Sequence, residues 1–312
     1  MPGIAFVFPG QGSQYPGMGQ ELARRYPEAA AVFQEAEAAL GWPVAELCFT
    51  GPAEALTRTE NTQPAVLTVS IACYRVLEAH GIRPGAVAGH SLGEYSALVA
   101  AGSLDFTTAV QLVEKRARFM AGAVPAGQGG MVAVLGLAAD RVAALCRQVK
   151  TGTAEAANLN APGQVVVAGD EEGLAALTAL AREAGAKRVL PLQVSGPFHS
   201  SLMAPAAREL GQVLAGISLE DPRVPLVANV TADYARTAEE VRANLIQQVA
   251  SPVRWEESIH RLLDDGYRTF VEVGPGEVLS GLIKRIDRQA TITRVENSQT
   301  LEKTLALLQE AQ

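Results

Sequence analysis

The stretch of sequence that decides the fold is residues 86–93, which read AVAGHSLG. The short apolar run at residues 86–89 predicts a buried strand, and a helical stretch follows the glycines through Ala100. A strand, a tight turn and a helix in this order are expected of a parallel sheet covered by helices. The stretch therefore favours an α/β fold.

The turn within this stretch, GHSLG at residues 89–93, matches the G-x-S-x-G pattern of a nucleophile elbow. In such an elbow small flanking residues let a serine sit on a strained turn between strand and helix. Ser91 would then be a nucleophile, and N–H groups at the helix N-terminus would stabilise a developing oxyanion. The alternative is that Ser91 only caps the helix. A serine nucleophile also needs a base.

The search for this base is short because the chain contains four histidines. His80 ends a predicted helix and is most simply a C-terminal cap. His260 lies in a charged helix, and His90 adjoins the serine but would point elsewhere. His199 lies in a loop where two predicted units meet, and it is either a positioned base or an ordinary helix-start residue.

A charged side chain interrupts the apolar stripe of the helix predicted at residues 106–123. Arg116 shares this stripe with Ala109, Val113 and Met120. Its stem either extends to solvent or its guanidinium faces a cavity and binds a carboxylate through two hydrogen bonds.

An early loop, PGQGSQ at residues 9–14, follows the strand predicted at residues 4–8. It matches neither phosphate-binding glycine pattern, which argues against nucleotide binding. It is either a simple turn or the source of a second backbone N–H near the serine, as in other elbow enzymes.

The order of predicted elements divides the chain into two units. Residues 125–130, PAGQGG, read as a hinge. A strand-helix-strand-strand-helix-strand order follows, which predicts a ferredoxin-like α+β subdomain at residues 125–195. It interrupts a large α/β-hydrolase-like domain with a parallel sheet, formed by residues 1–124 and 196–312. The predicted helices cover residues 27–40, 62–80, 106–123, 138–149 and 171–184, and the predicted strands cover residues 4–8, 86–89, 131–135, 155–160, 164–168, 188–194, 224–230, 269–273 and 291–295.

Composition excludes several classes of protein. The 312 residues are 48% hydrophobic and 19% charged, with a net charge of -7, which argues against nucleic-acid binding. The three cysteines are widely spaced and indicate neither a disulfide framework nor a zinc site. Neither a signal peptide nor an apolar run of about 20 residues is apparent. We therefore expect a cytoplasmic protein without a membrane partner.

Six motifs together resemble the malonyl-CoA:acyl carrier protein transacylase family over essentially the whole chain. They are PGQGSQ at residues 9–14, TQPA at 62–65, GHSLGE at 89–94, the Arg116 helix, GPFHS at 196–200 and EVGPG at 272–276. The resemblance implies a ping-pong reaction in which Ser91, activated by His199, takes malonyl from coenzyme A. It then passes malonyl to the phosphopantetheine thiol of acyl carrier protein, for fatty-acid synthesis.

The resemblance also implies roles for further residues. Gln11 and Leu92 match backbone oxyanion donors, Arg116 matches the arginine that pairs with the malonyl carboxylate, and Gln248 aligns with the residue whose backbone carbonyl orients the histidine. No metal or cofactor is implied, and we expect a monomeric, free-standing enzyme. Polyketide synthase acyltransferases share these motifs, and Phe198 resembles their malonyl-selective members.

The acidic carrier protein requires a local basic surface. Its predicted residues are Lys187, Arg188, Lys284 and Arg285. Two alternatives remain open, a serine hydrolase and a non-catalytic carrier-binding subunit. A carboxylate clamp at Arg116 argues against the first, and the intact pair of Ser91 and His199 argues against the second. With His199 as the base, we expect rates to fall with acid as its imidazole protonates, and a profile flat from pH 5 to 8 would count against a histidine base.

Overall fold

The computed structural model describes residues 3–125 and 127–310, so Ala126 of the predicted hinge and both chain ends lie outside it. These residues form ten strands, fourteen α-helices and one 3-10 helix at Ser201–Met203. The strands are β1 (Ala5–Phe8), β2 (Ala86–Gly89), β3 (Gly130–Leu135), β4 (Ala154–Ala161), β5 (Gln164–Gly169), β6 (Arg188–Pro191), β7 (Leu226–Val227), β8 (Tyr234–Ala235), β9 (Thr269–Val273) and β10 (Thr291–Val295). The helices are α1 (Gln20–Arg25), α2 (Pro27–Leu40), α3 (Val44–Thr50), α4 (Ala53–Thr57), α5 (Thr59–Ala79), α6 (Gly93–Ala100), α7 (Phe106–Gly122), α8 (Ala139–Cys146), α9 (Glu171–Glu183), α10 (Ala204–Leu214), α11 (Ala238–Gln248), α12 (Trp255–Asp264), α13 (Val278–Ile286) and α14 (Ser298–Glu310).

The larger sheet has the strand order β10-β9-β1-β2-β7-β8. Its first five strands are parallel, and β8 is antiparallel to β7. The parallel strands β1 and β2 are buried throughout because helices cover both faces. Their carboxyl ends meet at one edge of the sheet, which is where the loop after β1 and the turn after β2 come together.

Alternate residues of β1 enter different hydrophobic cores, as the two-residue repeat of a strand requires. Phe6 and Phe8 join the core that includes α2, α5 and α7. Ala5 and Val7 join the core on the opposite face, around Trp255. Burial of each phenylalanine contributes about 1.5–3 kcal/mol to the stability of the fold.

The smaller sheet is antiparallel, with the strand order β4-β5-β3-β6. Val132 and Val134 of β3 pack in a core that includes α8 and α9. Met131 and Ala133, on the other face of β3, join the large core instead. The second sheet therefore packs on the first unit through its own apolar face.

The bounds of the elements that the sequence predicted are close to the observed ones, with three notable differences, but the sequence predicted neither the helices α1, α3 and α4 nor the strand β8. The strand predicted at residues 224–230 is only Leu226–Val227, because the chain then turns so that Asn229 can bond to the elbow. The strand predicted at residues 188–194 ends at Pro191, and one further bond, from the Leu192 N–H to the Met131 carbonyl at 2.9 Å, closes the ladder with β3. The helix predicted from residue 62 begins at Thr59 and contains Pro64. The mixed α/β class with a parallel-rich sheet is confirmed.

Candidate active site

The turn between β2 and α6 is tight enough to require its glycines. A Cβ at Gly89 would lie 1.9 Å from the Gly93 carbonyl oxygen, and one at Gly93 would lie 2.0 Å from the Phe8 carbonyl oxygen. Ser91 has a φ of 51°, in the left-handed region that non-glycine residues rarely adopt. The predicted elbow is therefore present, with Ser91 half-buried at its tip.

The loop after β1 packs directly against this elbow. The His90 N–H donates to the Phe8 carbonyl at 3.0 Å, and a Cβ at Gly10 would lie 2.5 Å from the His90 carbonyl oxygen. The Gln11 side chain donates to the Thr59 hydroxyl at 3.0 Å. The early loop is thus a neighbour of Ser91 and not a distant turn.

His199, the candidate base, contacts Ser91 directly. Its Nε2 is 2.7 Å from Ser91 Oγ, and its Nδ1 is 2.7 Å from the Gln248 carbonyl oxygen. A carbonyl only accepts hydrogen bonds, so the Nδ1–H donates to it and a neutral ring presents the Nε2 lone pair to Ser91. Burial, with the nearby charge of Arg116, lowers the pKa of His199 to about 3.

Arg116 is fully buried beside the serine and does not extend to solvent. Its Nη2 donates to Ser91 Oγ at 3.1 Å and to Gln248 Oε1 at 2.7 Å, and its Nη1 donates to Gln63 Oε1 at 2.7 Å. The Nε–H has no hydrogen-bond partner within the part of the chain that is described. The side chains that accept hydrogen bonds from Arg116 are all uncharged, and a buried cation without a bonded carboxylate is a candidate site for an anion.

Three residues of this site were not assigned roles from the sequence. Asn229 accepts from the Ser91 N–H at 2.7 Å and donates to the Gly89 carbonyl at 2.6 Å. The buried carboxylate of Glu94 accepts from the Gln248 amide at 2.7 Å. Gln63 supports Arg116. Glu94 and Gln63 lie within the quoted motifs, whereas Asn229 fell inside the strand predicted at residues 224–230 and no sequence pattern marked it.

The remaining histidines lie where the sequence predicted. His90 points away from Ser91, with its Nε2 2.8 Å from Asn160 Oδ1. His80 is the C-cap of α5, with its Nδ1 2.8 Å from the Val76 carbonyl oxygen. His260 is exposed on α12. His199 is therefore the histidine in contact with Ser91.

Comparison with known proteins identifies the family. The pattern of the family described as "Acyl transferase domain" matches residues 5–304. The malonyl CoA-acyl carrier protein transacylase of Bacillus subtilis (strain 168) is 48% identical over 312 residues, which cover 99% of this chain and 98% of that protein. The chain belongs to the malonyl CoA-acyl carrier protein transacylase family.

Solved structures of other transacylases share this fold. The acyl-carrier-protein S-malonyltransferase of Burkholderia pseudomallei 1710b is 45% identical with a TM-score of 0.95, and 97% of this chain and 99% of that chain are covered. A malonyl-transacylase in complex with a type II PKS acyl-carrier protein is 42% identical with a TM-score of 0.95, with the same shares covered. This transacylase is an acyltransferase enzyme.

The predicted basic residues of the transacylase do not all lie together. One cleft, where the smaller sheet meets the unit of the larger sheet, is lined by Lys187, Arg188 and Arg285. Lys284 instead donates to the Arg288 carbonyl at 2.6 Å, beyond the last turn of α13.

None of the helices in residues 3–125 and 127–310 is both long and apolar enough to cross a membrane.

Proposed function

We propose that this transacylase transfers malonyl from malonyl-CoA to the phosphopantetheine thiol of acyl carrier protein through a malonyl-serine intermediate, for fatty-acid synthesis. One observation carries the proposal. A single hydroxyl, Ser91 Oγ, is 2.7 Å from a neutral imidazole and 3.1 Å from a buried guanidinium. A nucleophile, its base and a carboxylate-binding cation therefore converge on one reacting atom.

In the first half-reaction Ser91 Oγ attacks the thioester carbonyl as His199 Nε2 takes its proton. The C–S bond then breaks, and the coenzyme A thiolate leaves with the proton from His199. The second half-reaction reverses these steps, since the carrier thiol gives its proton to His199 and attacks the malonyl ester. Every bond and proton in these two half-reactions is accounted for without a redox cofactor or a metal.

The tetrahedral intermediates need donors for their oxyanion. We assign this role to the backbone N–H groups of Leu92 and Gln11. Within the elbow the Gly93 N–H donates to the His90 carbonyl and the Glu94 N–H to the Ser91 carbonyl, and the Leu92 N–H takes part in neither bond. The packing of Gly10 on His90 brings the loop that carries Gln11 to the same turn.

The Gln248 carbonyl takes the place that a carboxylate has in other serine enzymes. It fixes the Nδ1–H tautomer of His199 without adding a negative charge beside the imidazole. The malonyl carboxylate would bind Arg116, whose Nε–H is buried and unpaired in the described chain. Truncating such a charge pair costs about 2–5 kcal/mol.

The carrier protein is acidic, and the cleft lined by Lys187, Arg188 and Arg285 is its proposed docking surface. That a carrier protein is the partner is supported by the solved relative in complex with an acyl-carrier protein, and the choice of this cleft rests on its three basic side chains. The strand order and antiparallel pairing of the smaller sheet support a ferredoxin-like subdomain, and the parallel strands around the elbow support an α/β-hydrolase-like large domain.

The test is intact-protein mass spectrometry after brief incubation with malonyl-CoA. We expect a malonyl adduct on the wild-type protein and none on Ser91→Ala, followed by loss of the adduct when acyl carrier protein with its phosphopantetheine arm is added. Release of coenzyme A without any adduct would favour the hydrolase alternative. An adduct that carrier protein does not discharge would refute the assigned acceptor.

A further inference from the structure

Glu94 is a buried carboxylate next to the nucleophile that the proposed steps do not use. It lies in the first turn of α6 and is 2% exposed. Its Oε2 accepts from Gln248 Nε2 at 2.7 Å and from the Asn229 N–H at 3.2 Å. Both partners also bond to the backbone of Ser91, so Glu94 supports the elbow through two neighbours.

The amide of Gln248 joins Glu94 to Arg116. Gln248 Oε1 accepts from Arg116 Nη2 at 2.7 Å while its Nε2 donates to Glu94. An amide held between a cation and a carboxylate is polarised along one direction, and each hydrogen bond strengthens the other. The charge of Glu94 therefore reaches the guanidinium through a single side chain.

We propose that Glu94 is a positioning residue whose charge, transmitted through Gln248, sets how strongly Arg116 binds the substrate carboxylate. This inference rests on the proposed malonyl transfer. When Glu94 is ionised it balances Arg116, and an incoming carboxylate is opposed by a nearby negative charge. When Glu94 is neutral this opposition is removed, and Arg116 binds the carboxylate more tightly.

Glu94 is also the group of this cluster whose charge changes near neutral pH. Burial raises the pKa of Glu94 to about 7. The titratable groups around it are Arg116, Tyr95, His90 and His199. Burial raises the pKa of Tyr95 to about 12 and lowers the pKa of His199 to about 3. Burial also lowers the pKa values of His90 and Arg116.

The test variant is Glu94→Gln, compared with the wild type for loading of Ser91 from malonyl-CoA and from acetyl-CoA. One side-chain oxygen accepts both hydrogen bonds, so an amide oxygen in that place preserves them while the charge is removed and the second oxygen becomes an NH2 group. At pH 8 we expect the KM for malonyl-CoA to fall by roughly fivefold or more. The KM for acetyl-CoA, which carries the same coenzyme A phosphates, should stay within about twofold.

The pH dependence gives a second measurement that needs no variant. In the wild type, the ratio of the malonyl-CoA KM to the acetyl-CoA KM should rise as pH increases from 6 to 8. In Glu94→Gln the ratio should be constant. A constant ratio in the wild type, or equal changes for both substrates in the variant, would overturn the proposal.

Glu272→Gln is the matched control, because Glu272 is equally buried but bonds to Leu279 and Ser280 at the start of α13. It should change stability without changing the KM ratio or its pH dependence. The malonyl adduct on Ser91 is measured in every variant. Its absence from the wild type would mean that the proposed function fails, whereas its presence with an unchanged KM ratio would mean that only the role of Glu94 fails.

Discussion

Two residues of the site have rare backbone conformations, and their side chains form the contact between the proposed nucleophile and the proposed base. Ser91 has a φ of 51° and His199 has a φ of 60°. Such conformations cost about 1–3 kcal/mol each and persist where the surroundings hold them. Asn229 accepts from the Ser91 N–H, and the Gln248 side chain donates to the Ser91 carbonyl at 2.9 Å. The elbow is therefore held at both backbone groups of its serine.

The burial of His199 moves the expected acid limit of the reaction. Because its pKa is about 3, below the ordinary 6.5, the imidazole stays neutral well below pH 6.5. At saturating malonyl-CoA, the single-turnover rate of Ser91 loading should be level from pH 8 to about 5. This revises the sequence-based expectation of a fall within that range, which assumed an ordinary imidazole.

The sign of the linked stability change is opposite to that of a histidine in an ion pair. Between pH 6.5 and 3 the imidazole of residue 199 is protonated in the unfolded chain but neutral in the folded protein. The free energy of unfolding therefore falls as pH falls through this window. Rates are therefore compared at pH values where circular dichroism shows folded protein. A loading rate that declines with a midpoint near 6.5 would contradict a buried, neutral His199.

Removal of the Arg116 guanidinium should slow loading of a charged acyl group but not of an uncharged one. Arg116→Ala should lower malonyl loading of Ser91 by at least roughly thirtyfold, because a carboxylate pair worth about 2–5 kcal/mol is lost. Loading from acetyl-CoA should hold or rise, since acetyl carries no charge for Arg116 to bind. Stopped reactions resolved by mass spectrometry measure both rates, and an equal loss of the two would remove Arg116 from its assigned role.

At the scale of elements, the site depends on how closely α6 approaches β1. The first residue of α6 lies against the Phe8 carbonyl, which permits no side chain there. This approach places the N-terminus of α6 beside the loop after β1, where both proposed oxyanion donors lie. The spacing of two backbones therefore sets the geometry of the reacting atoms.

A methyl group at this contact should disturb the elbow. In Gly93→Ala the new Cβ would lie 2.0 Å from the Phe8 carbonyl oxygen, so α6 must shift away from β1. We expect a loss of about 1–3 kcal/mol in the free energy of unfolding and a larger loss of Ser91 loading. Urea titration and the loading assay measure the two effects.

Gly122→Ala is the control for this substitution, because a Cβ at Gly122 meets no atom within 4 Å in the described chain. It lies at the end of α7 and should be neutral or stabilising by about 0.5–1 kcal/mol. If Gly93→Ala behaved in the same way, the close approach would not limit the elbow.

At the scale of the whole molecule, side-chain bonds tie the smaller sheet to the large unit near the site. His90 Nε2 lies 2.8 Å from Asn160 Oδ1 on β4. Thr59 Oγ1 lies 2.7 Å from Ser195 Oγ, just before the loop that carries His199. The position of the base therefore depends on how the two units pack.

The basic cleft should act on transfer to the carrier protein and not on loading. Lys187→Glu with Arg188→Glu should raise the KM for acyl carrier protein by roughly tenfold or more, most strongly at low salt, because favourable charges become repulsive. Malonyl loading of Ser91 should be unchanged. Arg141→Glu, an exposed reversal on α8, is the control. Equal effects of the cleft variant and Arg141→Glu would place the docking surface elsewhere.

The sequence by itself determined the local parts of this protein. Strand β2, the glycines of the elbow and the helix of Arg116 follow from hydrophobic periodicity and from steric limits that act between near neighbours in the chain. The bounds of β2, β9, β10 and α2 were predicted without error for the same reason. The resemblance of six motifs added the proposed roles of Gln11, Leu92, Arg116 and Gln248.

Only the tertiary structure decided what these parts do together. His199 is 108 residues from Ser91, Gln248 is 132 residues from Arg116, and Asn229 is 138 residues from Ser91. No local pattern encodes a hydrogen bond across such separations, because it depends on the order of strands and the packing of the two units. Burial also belongs to the folded state, and it gave His199 and Glu94 the pKa values that distinguish them from ordinary side chains.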